Sequence, residues 1–190
     1  NAKRDLIVTT NDPYDAKLGE HVWLYENLAQ NPRDSFSFVG KKFLIDDILQ
    51  HNRFAAPVFI DIDNDGDQDL VLGNLGLNSQ YKASINEPFT QTVKDFDGNG
   101  LIDPIMSYYI QGKSHPAYSL DELAAQLPNV RKKYTNYQSF SEAQTSDILT
   151  FLDEKDSFTN KIHELASGVL LNQGGELSFM KLPVQAQFSM

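Results

Sequence analysis

The chain has 190 residues, 41% apolar and 22% charged, which suits one globular domain with a real core and excludes a disordered segment. Its net charge of −10 argues against a general nucleic-acid or anionic-membrane surface, because both need a basic footprint. It has no cysteine, so disulfides and thiol chemistry are excluded, and no apolar run reaches transmembrane length.

The N-terminal phrase Asp5-Leu6-Ile7-Val8-Thr9-Thr10 reads as a strand, and Asp5 reads as the last position of an incomplete acidic loop. Val22–Asn27 and Phe36–Phe38 follow as strands separated by a turn at Asn27. Trp23, Tyr25, Phe36 and Phe38 fit packing at period two rather than ligand stacking.

Pro57–Ile60 is strand-like and runs into Asp61-Ile-Asp63-Asn64-Asp65-Gly66-Asp67-Gln68-Asp69. After Leu70–Gly73 and Phe89–Val93 the pattern returns as Asp95-Phe-Asp97-Gly98-Asn99-Gly100-Leu101-Ile102-Asp103. Each copy has oxygen-bearing side chains at positions 1, 3, 5 and 9, and glycine at position 6. Five aspartates in nine residues repel one another unless a cation balances them. Calcium takes about six to eight oxygens in flexible geometry, whereas magnesium insists on a strict octahedron and keeps its waters. The glycine allows a left-handed turn that aims successive oxygens inward.

The spacing predicts two calcium sites. The first uses the side chains of Asp61, Asp63, Asp65 and Asp69 and the Asp67 carbonyl. The second uses Asp95, Asp97, Asn99 and Asp103 with the Leu101 carbonyl. The second loop offers one carboxylate fewer and is expected to bind more weakly. An EF-hand is excluded, because position 12 is Leu72 in one copy and Met106 in the other. The plain alternative is a solvated Asp/Gly turn, which two nine-residue matches in one chain disfavour. Eight acidic residues lie in the two loops, and two divalent ions would bring the net charge from −10 to about −6.

Strands are expected near Tyr108–Tyr118. Ser119-Leu-Asp121-Glu122 is a capping box ahead of a helix that Pro128 ends. Ser141-Glu-Ala-Gln144 is expected to cap a second helix running to about Asp153. The region 119–165 is therefore expected to be helical and inserted between strands. Gly168–Asn172 and Leu177–Phe179 repeat the strand, Asn turn, strand phrase of the N-terminal part. The unit reads as four antiparallel strands and a metal loop, which is a β-propeller blade.

At these residues the chain resembles the FG-GAP/VCBS repeat family, whose blades are similar to those of integrin α-chain propellers. The phrases that carry the resemblance are Phe59–Gly73, Lys94–Asp103 and Gly73-Asn-Leu-Gly-Leu-Asn-Ser79. It implies a mainly β partial propeller of about three blades, at about 3–60, 69–94 and 102–185, forming a single unit over 1–190. Family propellers usually close with about seven blades. The expected partners are therefore further blades of a longer chain, or self-association, together with a protein or glycan ligand. The resemblance also implies a secreted or cell-envelope setting, where calcium is plentiful.

The sequence contains no nucleophile elbow, phosphate loop or His-Glu-x-x-His. His21, His51, His115 and His163 are scattered, without ligand spacing. Near the insertion lie Tyr108, Tyr109, Tyr134, Tyr137 and Phe140 and a small basic cluster of Lys113, Arg131, Lys132 and Lys133; a solvated helix face explains that cluster better than recognition does. The leading expectation is a calcium-stabilised binding or adhesion module. The alternative is part of a polysaccharide lyase using Tyr109, Lys113 or His115.

Overall fold

The computed structural model describes residues 57–188 in full, and the backbone alone of strands at 6–9, 22–27, 38–42 and 55–56. Asp5, His21, Phe36 and His51 lie outside the described residues, as do the side chains of Trp23, Tyr25 and Phe38. The protein is mainly β, and the described residues form three antiparallel sheets with a short run of helices. Among the described residues no sheet closes on itself, and no helix is long and apolar enough to cross a membrane.

The chain divides into two compact units: residues 1–79 with 164–190, and residues 80–163. In the first unit, β1 (Leu6–Thr9), β2 (Val22–Asn27) and β3 (Phe38–Lys42) form a three-stranded meander. Its second sheet has the order β11-β10-β5-β4. These strands are β4 (Ala55–Ile60), β5 (Asp69–Gly73), β10 (Gly168–Gln173) and β11 (Glu176–Lys181). Inner strands β5 and β10 pair at Leu70↔Leu170 and Val71↔Val169. They supply the buried Leu70, Leu72, Val169 and Leu170, which is why both sequences are nearly continuous apolar runs.

The second unit holds a sheet of order β8-β7-β6-β9, made of β6 (Phe89–Lys94), β7 (Asp103–Ile110), β8 (Lys113–Pro116) and β9 (Phe158–Ile162). Four helices precede β9: α1 (Leu120–Gln126), α2 (Val130–Lys133), α3 (Tyr137–Ser141) and α4 (Thr145–Leu152). Their apolar faces gather around Ile105 of β7. Leu120, Leu123, Leu127, Val130, Ile148 and Leu152 are buried there, with Phe96 and Tyr118 at the margin.

The Ser119/Glu122 capping box forms as the sequence predicts: Ser119 Oγ accepts the Glu122 N–H at 3.2 Å and the Glu122 carboxylate accepts the Ser119 N–H at 2.7 Å. The second cap lies three residues later than expected. Ser141 ends α3, and α4 begins after Gln144, whose reciprocal partner is Asp147. The helical region is also shorter than 119–165, because residues 158–162 pair with β6 as β9.

The sheets are grouped differently from the expected blades. The acidic loops do not separate one sheet from the next; each is the tip of a hairpin within a sheet. Ile60 pairs with Asp69 across the first and Lys94 with Asp103 across the second. The expected divisions at 60/69 and 94/102 therefore fall inside hairpins. The range 102–185 is shared between two sheets, because β10 and β11 join β5. Local periodicity marks a strand but does not choose its partner, and the β5–β10 pairing joins segments about a hundred residues apart.

Candidate metal centres

Both loops take the same backbone path. Position 4 is left-handed in each, at Asn64 (φ 60°) and Gly98 (φ 75°), and so is position 6, at Gly66 (φ 95°) and Gly100 (φ 85°). Asparagine tolerates this region better than other non-glycine residues.

Four hydrogen bonds recur. The position 5 N–H donates to position 3, as Asp65 to Asp63 (3.3 Å) and Asn99 to Asp97 (3.1 Å). Position 6 donates to position 1, as Gly66 to Asp61 (3.2 Å) and Gly100 to Asp95 (2.8 Å). Position 7 donates to position 5, as Asp67 to Asp65 (2.8 Å) and Leu101 to Asn99 (2.7 Å). Position 2 donates to position 9, as Ile62 to Asp69 (2.8 Å) and Phe96 to Asp103 (3.0 Å). Alternating side-chain oxygens thus accept the backbone N–H groups of their own turn, which holds the loop's curvature.

The curvature brings acidic oxygens together. One oxygen each from Asp61, Asp63 and Asp65 lies within 4.8 Å of the others, and the same holds for Asp95, Asp97 and Asp103. Either cluster could hold a metal ion. Asp61 Oδ1 is buried and has no hydrogen-bond partner, which fits a cation ligand better than a solvated turn. Desolvation first, and then the charge of Asp65, push the Asp63 carboxyl above the usual carboxylate range. Burial raises Asp103. Asp95 is lowered instead, chiefly by the Gly100 N–H. A bound cation would relieve the crowding at Asp63 and Asp103.

The remaining expected ligands have other partners. Asp69 is fully buried, and its two oxygens accept the N–H groups of Ile62 and, at 2.9 Å, Asn172. Asp67 Oδ2 accepts the Gly174 N–H at 2.9 Å. Neither carboxylate belongs to the convergent group of the first loop; for Asp67 the expected ligand atom is the main-chain carbonyl instead. Asn99 Oδ1 is engaged by Leu101 and keeps a second lone pair.

The surroundings of the loops were not legible in the sequence. The first is gripped by the β10–β11 turn. Gly174 and Gly175 both have positive φ, at 65° and 94°, as a two-residue hairpin turn requires. Asn172 Nδ2 also donates to the Gln68 carbonyl at 3.3 Å. The second loop is held by the helices instead. Phe96 packs against their core, while the Tyr118 hydroxyl and Gln126 Nε2 donate to the Pro104 carbonyl at 3.2 and 3.3 Å. The Asn172-Gln-Gly-Gly phrase signals a turn, but nothing local signals its docking on a loop so far away.

His115 Nδ1 lies 3.0 Å from the Ala143 carbonyl and His163 Nδ1 lies 3.2 Å from the Ser84 carbonyl, so each has a structural partner. Arg131 pairs with Asp121, and Lys133 donates to the Asp147 carbonyl at 2.8 Å while lying over the Tyr134 and Phe151 rings. No protein-family model, no curated protein and no solved structure matches this chain.

Proposed function

We propose that the chain is a calcium-binding repeat module of the FG-GAP/VCBS kind, part of a β-propeller that displays a binding surface for a protein or glycan outside the cell or in its envelope. The observation that carries this reading is the identity of the two loops. Unequal sequences adopt the same two left-handed positions and the same four hydrogen bonds, and each leaves three carboxylate oxygens convergent. Asp61, Asp63 and Asp65 would hold one ion, and Asp95, Asp97 and Asp103 the other. Asn99 and the carbonyls of Asp67 and Leu101 would complete an oxygen-rich shell that favours calcium over magnesium. The ions would act structurally, because the carboxylates they occupy are poor general acids.

Edge strand β4 supports the propeller part of the reading. Val58, Phe59 and Ile60 are each about half exposed on it, a surface suited to a neighbouring blade or a second copy.

Thermal unfolding with excess calcium, with magnesium and with EGTA tests the structural role. An ion that binds only the folded state stabilises it by about 2.7 kcal/mol at a hundred times its Kd. Calcium is expected to raise Tm well above the EGTA value, and magnesium much less. A melt unchanged by calcium would refute the structural role.

A further inference from the structure

A cleft of about 530 Å³ lies in the unit 80–163, lined in part by Gln80, Lys82, Glu87, Tyr108, Tyr109 and Gln111. Neither metal loop lines it. The volume falls within the roughly 300–1,000 Å³ usual for small-molecule sites.

Its walls are fixed from outside. The Ser84–Glu87 turn is closed twice, by Ser84 N–H to the Glu87 carbonyl and by Glu87 N–H to Ser84 Oγ, both at 3.0 Å. Tyr81 stands edge-on to buried Phe89 at 5.2 Å and to Tyr108 at 5.1 Å. The opposite lip is the β7–β8 turn, where Gln111 (φ 52°) and Gly112 (φ 77°) take the paired left-handed geometry of a tight hairpin. The Glu87 carboxylate reaches this lip, since a Cβ at Gly112 would lie 3.9 Å from its Oε1. A cleft shaped before its ligand arrives loses less conformational entropy on binding.

The chemistry of the lining selects a ligand class. Among the described residues neither Lys82 nor Glu87 is in an ion pair. Two amides, a carboxylate and an ammonium offer donors and acceptors in several directions, and two phenols add flat apolar faces with polar tips. Adjacent hydroxyls on a ring with apolar C–H faces match this combination. Phosphate does not, because the single ammonium shares the cleft with a carboxylate. We propose that this cleft binds a short saccharide of one or two rings, its hydroxyls read by Gln80, Glu87 and Gln111 and its ring face packed on Tyr109. The proposal rests on reading the chain as a binding module and is independent of the metal.

Saturation-transfer NMR on the whole chain tests it, with cellobiose, maltose, lactose and digalacturonate as probes and diglycine as the peptide control. Amide shifts are recorded in the same samples, in calcium and again in EGTA. At least one sugar is expected to receive saturation and to shift amides of 80–87 and 108–112. Gln80→Ala and Tyr109→Leu should each weaken binding by about fivefold or more, and the milder Glu87→Gln should do so without disturbing the remaining amides. Saturation of none of the sugars, saturation of diglycine alone, or shifts lying elsewhere would each overturn the proposal. Calcium-dependent shifts at 61–69 and 95–103 report separately on the metal reading, so the two failures are distinguishable.

Discussion

Asp69 and Asn172 are joined across 103 residues of sequence: a fully buried carboxylate oxygen of Asp69 accepts the Asn172 N–H at 2.9 Å. The other oxygen of the same carboxylate closes the first acidic loop on Ile62. One side chain therefore links the loop to the C-terminal hairpin, and it does so through hydrogen bonds that need no cation.

Asp69→Ala should consequently destabilise the protein even in EGTA. It leaves two N–H groups without their acceptor, each worth about 1–3 kcal/mol when buried, so a loss of roughly 2–6 kcal/mol is expected in urea unfolding. Asp69→Asn, which keeps one acceptor oxygen, should lose less. A loss that appears only when calcium is present would show that Asp69 acts as a ligand alone.

The position 6 glycines can be tested without touching a carboxylate. Nothing lies within 4 Å of a Cβ placed on Gly66 or Gly100, yet both have strongly positive φ. Ala at either should cost about 1–2 kcal/mol through backbone strain alone. Asn64→Gly should be neutral or slightly stabilising. Urea midpoints for the three variants check the ordering, and equal midpoints for Gly100→Ala and the parent would contradict the loop geometry.

Much of this was readable in nine residues, because the hydrogen bonds within each loop span seven residues or fewer, whereas those that Asn172 and Gly174 donate to the first loop come from far along the chain. The left-handed turn at position 6 follows from glycine itself. Strand pairing was not readable, since the apolar pattern of Leu70–Leu72 fits any buried partner. Strand β9 was hidden by its polar sequence, Phe-Thr-Asn-Lys-Ile, next to helices. Its Thr159 is paired by the Thr92 hydroxyl at 2.9 Å, a cross-strand contact that only the fold creates. The α4 cap was misplaced because glutamine at an N-cap carries a weaker signal than the nearby Ser141.

Gly168 offers a test of the β10–β11 packing. A Cβ there would come 2.2 Å from the Phe179 ring and 2.8 Å from the Met180 carbonyl oxygen. The ring can move, but the backbone carbonyl cannot move without breaking the ladder. Gly168→Ala is expected to cost about 1–3 kcal/mol by overpacking, measured by urea unfolding, and a stability equal to the parent's would contradict the described pairing.

The α1 cap has a definite pH dependence. The Ser119 N–H holds the Glu122 carboxyl below its ordinary value of 4.5. A lowered folded-state value means the cap's contribution is complete above that ordinary value and is lost as pH falls through the lower one. The Glu122 carboxyl should titrate below 4.5 by NMR, and Glu122→Gln should flatten this part of the acid unfolding curve. A Glu122 titration at or above the ordinary value would contradict the box.

The most direct test of the central claim is isothermal titration of calcium into the chelator-treated chain and into Asp63→Ala and Asp97→Ala. Two ions are predicted for the parent and one for each variant. The site retained in Asp97→Ala, formed by the carboxylate-richer first loop, should be the tighter one. No binding heat in the parent, or an unchanged stoichiometry of two in both variants, would contradict the assignment of the two loops as metal centres.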